Sequence, residues 1–168
     1  MTFEMLPNWH PFFVHFTIAF FSVGPVLYLG AAFVPLGPGT QARLLLLARF
    51  CLWLGALLAL VTVLTGLYAF STVAHNKSAH LAMVNHRNWA LATALAGFVI
   101  AALTFWQRDE NHASKIMAGL TAVLFVLVMI TGFKGAELVY RHGIGVESNV
   151  TDKTKTHHQH DHNHDHDH

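Results

Sequence analysis

Charged side chains, cysteine and basic clusters are all scarce in this chain, and each shortage excludes something. Only 11% of its 168 residues are charged, against about 25% in soluble domains, so water is not its sole solvent. A formal net charge of +1 with no basic patch leaves no surface for phosphates, which excludes nucleic acid as a partner. The single cysteine, Cys51, lies in the apolar run Cys51-Leu52-Trp53-Leu54. It cannot form an internal disulfide and reads as a small buried hydrophobe. No C-x-x-C-H motif occurs, so covalently attached c-type haem is excluded. The N-terminus carries Glu4 instead of a basic n-region, and the first apolar run is too long for an h-region. That run is therefore expected to remain as a membrane span and not to be cleaved. No catalytic constellation is visible, and the expectation is a protein that is not an enzyme.

Hydrophobicity is what the chain has instead: 54% of its residues are apolar and its mean hydropathy is +0.43. A helix needs about 20 mainly apolar residues to cross the hydrocarbon core, and four stretches qualify: 11–36, 44–72, 89–106 and 116–140. The expected fold is all-α, an integral membrane four-helix bundle over residues 1–146 followed by a disordered His-rich tail over 147–168. Pro35-Leu36-Gly37-Pro38-Gly39 makes a tight turn between the first two spans. Gln107-Arg108-Asp109-Glu110-Asn111-His112 links the last two. The middle link, from Val73 to about Asn88, is longer and has room for a helical piece continuing into span three. Gly143 is placed to cap the last helix. Gly55, Gly66, Gly97, Gly119 and Gly132 read as close helix contacts, since small residues let helices approach in lipid. Trp9, Trp89, Trp106 and Tyr140 fall at span ends, where amphipathic rings favour the headgroup level. Lys134 and Glu137, three residues apart near the end of span four, read as an interfacial ion pair.

Four crossings put the start of span one, the middle link and the end of span four on one side of the membrane. The histidines sort accordingly: His10 and His15 open span one, His75, His80 and His86 lie in the middle link, and His142 closes span four. Only His112 falls on the other side. His15 lies about 7 Å deeper than His10 along a helix, among Phe12, Phe13, Val14 and Phe16. An ionisable group at such depth marks a functional site and normally faces the bundle interior.

Two chemistries use converging imidazoles from different helices. In a haem b site, two histidines clamp the iron, apolar side chains cover the macrocycle, and Arg141 or Arg87 meets the propionates. In a non-haem site, three or four imidazoles hold Cu or Zn, oriented by partners such as Asn85 or Glu137. Spacing does not separate the two. His15 with His86 or His142 is the expected ligand pair, with His10 and His80 completing or supporting the site.

The tail offers looser chemistry. His157, His158, His160, His162, His164, His166 and His168 alternate with Asp, Asn and Gln, which suits exchangeable binding of divalent metal in a flexible chain. The interruptions argue against a plain purification tag.

His10-Pro11-Phe12-Phe13-Val14-His15-Phe16-Thr17-Ile18-Ala19 resembles the HP-x-x-VHF-x-IA opening of a bacterial membrane family known as domain of unknown function 2231. Gly135-Ala136-Glu137-Leu138-Val139-Tyr140-Arg141-His142-Gly143-Ile144-Gly145-Val146 is similar to its closing GG-x-LVYRHGVGV. His80, Asn85 and His86 match the family's polar middle segment less closely. Ala136 stands where a second Gly is usual, Thr17 where Pro is common, and Tyr68 where an acidic residue often follows span two. The resemblance implies a four-helix membrane protein of a family that occurs joined to c-type cytochrome modules, hence a redox or haem-linked role with a c-type cytochrome or other redox protein as partner.

Arg43, Arg49, Arg108 and Lys115 flank the two short links, against Lys77, Arg87 and Arg141 on the histidine side. The positive-inside rule then places the histidine face and both termini in the periplasm of a bacterial inner membrane. The expected function is electron transfer through haem b or a transition metal. Metal handling with the tail as the capturing element, and a cofactor-free membrane scaffold, are the competing expectations.

Overall fold

The computed structural model describes residues 9–72 and 77–144. Four helices run up and down: α1 His10–Phe33, α2 Pro38–Thr72, α3 Lys77–Trp106 and α4 Lys115–His142. All four are long and apolar enough to cross a membrane, and among the described residues there is no strand. Each helix packs on its two neighbours, α4 closing the ring against α1. α1 and α3 therefore stand diagonally and point the same way, as do α2 and α4. The tail and His75 lie outside the described residues.

Local chemistry sets the helix ends. α2 begins at Pro38 and not Leu44, because proline is tolerated in a first turn whose N–H groups have no helical partner. The Gly37 carbonyl accepts from the Thr40 and Gln41 amides at 2.9 and 3.0 Å. α3 begins at Lys77, so the middle link does contain a helical piece leading into the third span. Gly143 caps α4 in the left-handed region at φ 62°, its amide reaching the Leu138 and Val139 carbonyls.

Lipid tails are as apolar as leucine, so van der Waals fit and polar bridges hold such a bundle together more than water exclusion does. The fit centres on Phe21, which is 1% exposed. A Cβ added at Gly55 of α2 would lie 2.6 Å from its ring, and one at Gly97 of α3 only 2.3 Å away. Both glycines exist to admit one phenyl ring from α1. Gly24 similarly admits Leu52, whose Cγ would lie 3.0 Å from an added Cβ. Gly119, by contrast, has nothing within 4 Å and faces outward, so it is not the helix contact its composition suggests.

Polar bridges pin the end of the bundle at the α1–α2 and α3–α4 links. Gln41 Nε2 donates to the Ala31 carbonyl at 2.9 Å across the first turn. Trp53 Nε1 donates to Thr104 Oγ1 at 3.1 Å, joining α2 to α3. Arg49, 5% exposed, donates through Nη1 and Nη2 to the Arg108 and Glu110 carbonyls, both at 2.9 Å. Outside, Leu46, Leu57, Leu64, Leu95, Val126 and Phe133 are exposed. Continuous apolar surface of this kind is rare on soluble proteins and is what lipid contact requires. Trp106 and Tyr140 are exposed at helix ends, positions where amphipathic rings favour the headgroup level.

Candidate functional site

Of the histidines singled out by the sequence, two lie half-buried at the same end of the bundle, each seated against a neighbouring helix. His10, the first residue of α1, lies on α2: Nδ1 donates to the Thr62 carbonyl at 3.0 Å. An added Cβ at Gly66 would lie 2.8 Å from its Cε1. The imidazole thus rests on backbone that only glycine leaves bare. Bonding at Nδ1 selects the tautomer whose Nε2 carries the lone pair that a metal takes.

His86 of α3 lies on α4 in the same manner. An added Cβ at Gly135 would be 3.2 Å from its Cε1, and the ring lies by the Thr131 carbonyl, within electrostatic reach of Lys134 and His10.

Below each ring a threonine pair bridges the same two helices. Thr17 and Thr62 share a hydroxyl bond of 2.8 Å, and Thr93 and Thr131 one of 2.7 Å. Each of the first partners also back-bonds its own helix, Thr17 to the Phe13 carbonyl at 3.2 Å and Thr93 to the Trp89 carbonyl at 2.8 Å. The threonine bridges fix the helix spacing on which the imidazoles rest.

The remaining candidates lie apart from this pair. His15 is exposed on the outer side of α1 and bonds the Pro11 carbonyl of its own helix; the interior position expected from its depth belongs to His10. One turn and a half of helix separates the two residues, which puts them on different faces. His80 is exposed and stacks at 5.7 Å on Phe70. His142 is the last, half-buried residue of α4. Among the described residues no three His, Cys, Asp or Glu side chains gather as a metal site. The tail histidines His157, His158, His160, His162, His164, His166 and His168 lie outside the described residues.

The basic residues have partners of other kinds. Arg87 stacks on the Phe70 ring, Cζ 4.7 Å from the centroid, and Arg141 pairs with Glu137 at 2.8 Å. Glu137 therefore takes Arg141, one turn on, where the sequence suggested Lys134; Lys134 instead faces His86. Leu81, Ala82, Asn85, Lys134 and Glu137 line an open surface pocket between α3 and α4. With Arg141 72% exposed, Glu137→Gln is expected to cost no more than about 0.5 kcal/mol. Unfolding of the purified protein in detergent reads this directly, and a loss several times larger would show that Glu137 has a further partner.

Sequence reasoning missed Thr17, Thr62, Thr93, Thr131 and Gly135. Threonines inside an apolar span look like ordinary helix residues until their partners on the next helix are known. One signal was nevertheless available: the spacing from His10 to Thr17 recurs from His86 to Thr93, and that from Thr62 to Gly66 recurs from Thr131 to Gly135.

No curated protein and no solved structure is significantly similar to this chain. The paired histidines, the outward apolar surface and the four spans stand together over a segment, residues 7–148, that matches the model of the family described as predicted membrane protein (DUF2231); the chain belongs to that family.

Proposed function

We propose that this protein holds a redox-active metal centre, haem iron or a transition-metal ion such as copper, between His10 and His86, and that it transfers electrons. The observation that supports this reading is that two imidazoles from diagonal helices, at the same end of the bundle, are seated in the same way, each on a glycine of the next helix. Imidazole suits Fe, Cu and Zn alike. His10 and His86 would hold such a group as neutral imidazole donors, and the group would supply a redox change, which favours electron transfer. The chain's own part is to keep the imidazoles neutral, hold them at a fixed separation through the Thr17–Thr62 and Thr93–Thr131 bridges, and surround them with apolar helix.

The charge distribution supports placing this end at the periplasmic side of a bacterial inner membrane, within reach of a c-type cytochrome or other redox partner. The tail serves as a loose collector of divalent metal ions near that face.

The test separates tail from site. In a full-length variant with the seven tail histidines changed to serine, one haem or metal ion per chain is expected to remain, and His10→Ala or His86→Ala is expected to abolish it. Absorption spectra and elemental analysis read the result, a Soret band distinguishing haem iron from a bare ion. Retention of the centre in both alanine variants, or its absence from the tail variant, would overturn the proposal.

A further inference from the structure

The two half-sites match beyond their histidines. The offset that carries His10 onto His86 also carries Thr17 onto Thr93, and it takes the buried Phe21, Gly24, Pro25 and Tyr28 of α1 onto the buried Gly97, Ile100, Ala101 and Thr104 of α3. The offset that carries Thr62 onto Thr131 takes Gly66 onto Gly135. It also takes buried Ala48, Arg49, Leu52, Gly55, Ala59 and Ala69 of α2 onto Met117, Ala118, Thr121, Leu124, Val128 and Leu138, the buried residues of α4.

Burial alone does not establish kinship, because any two helices of a bundle share the helical period. Identity is more telling. Over the matched spans the identical pairs are three aliphatic ones, Val23 with Val99, Leu27 with Leu103 and Leu58 with Leu127, and the four that build the site: His, Thr, Thr and Gly. Everything else has diverged, including Arg49 to Ala118 and Tyr28 to Thr104. Helix order is compatible with this, since a two-fold axis along the bundle maps α1 onto α3, α2 onto α4, and the α1–α4 contact onto the α3–α2 contact, although α1 and α2 pack on one another more extensively than α3 and α4 do.

We infer that the bundle consists of two equivalent hairpins, α1–α2 and α3–α4, related by a two-fold axis along the membrane normal, and that His10 and His86 are equivalent ligands of one metal on that axis, each positioned by its own glycine, Gly66 or Gly135. The inference rests on the metal-binding reading given above. Its new content is that the site is assembled from two copies of one unit, His with Thr on the first helix and Thr with Gly on the second. Gly66 and Gly135 act through the imidazoles they seat and are positioning residues.

The experiment uses the full chain carrying the serine-substituted tail. In metal titrations with Cu and Zn, and in haem titrations, Gly66→Ala and Gly135→Ala are each expected to weaken binding about ten- to a hundredfold, as loss of a ligand-orienting contact does. Metal-free unfolding is expected to shift little, because the atoms met belong to the end of a single imidazole side chain, at 2.8 Å for Gly66 and 3.2 Å for Gly135, and the helix preference of alanine offsets the cost of turning it. That separation of affinity from stability distinguishes positioning from mere packing. His10→Gln and His86→Gln, which add no methyl on the facing helix, are expected to have matching effects and serve if either alanine variant fails to fold.

A metal-independent arm reads the axis. On a Cys51→Ser background, spin labels at Phe16 and Leu64, and in a second protein at the mapped exposed positions Ala92 and Phe133, are expected to give coincident distance distributions by pulsed electron resonance. Differing distributions, or a large effect of one glycine or histidine with none of its counterpart, overturn the equivalence while leaving metal binding standing. Coincident distances with no metal or haem bound by the unsubstituted site overturn the shared ligand, and with it the metal reading.

Discussion

Gly97→Ala is expected to destabilise the bundle by about 2–3 kcal/mol, the usual range for forcing a methyl into a close-packed interior. The added carbon would lie 2.3 Å from Cζ and 2.5 Å from Cε2 of Phe21, distances that no relaxation of the methyl alone can relieve. The ring cannot retreat toward α2, because Gly55 already meets its opposite edge, at 2.6 Å from an added Cβ. α1 and α3 must therefore move apart, and with them the diagonal on which His10 and His86 stand. Phe21→Leu is expected to rescue Gly97→Ala partly, since the shorter side chain vacates the place of Cζ. Unfolding of the purified protein in detergent, followed by circular dichroism, reads both variants and their combination. Equal stability of Gly97→Ala and the unsubstituted chain would mean that Phe21 does not occupy this position in the membrane.

The second large effect is expected at the opposite end. Arg49→Met should cost about 2–4 kcal/mol. Two hydrogen bonds from a charged donor are worth about 1.5–3 kcal/mol each, and part of that is offset because a buried guanidinium no longer has to be desolvated. The carbonyls it serves belong to Arg108 and Glu110, in the short link between α3 and α4, so the loss should open that link first. Limited proteolysis within residues 107–114 is expected to accelerate in Arg49→Met and much less in Arg49→Lys, which keeps one charged donor but not the fork that reaches two acceptors. Unaltered proteolysis and stability in Arg49→Met would show that other contacts hold the link. Being distant from the histidine end, this substitution should leave metal content unchanged in whatever protein remains folded.

Much of the architecture was legible in residue order. Four apolar runs of spanning length require four crossings, whatever their neighbours do, and Pro and Gly at 35–39 and Gly143 mark ends through backbone geometry that is local. The site was legible only in part. His10 and His86 stood among the candidates, but His15 ranked above His10 because depth in the apolar run is readable and facing is not. A span that is apolar on every side carries almost no amphipathic stripe to show which side faces inward. The pairing of Glu137 had the same ambiguity, since helix neighbours three and four residues away compete.

Composition and run length thus determined that the chain crosses a membrane four times and that, among the described residues, His10, His15, His80, His86 and His142 share one side. Those facts follow from transfer free energy and helix length, which are sums over local residues. Tertiary structure alone decided that His10 and His86 turn onto the neighbouring helices, that His15 faces outward, and that Gly66 and Gly135 bear the rings while Gly55 and Gly97 admit Phe21. Each of these depends on the rotation of one helix against another, set by contacts of about 2–4 Å between residues far apart in the chain. No single helix contains that information.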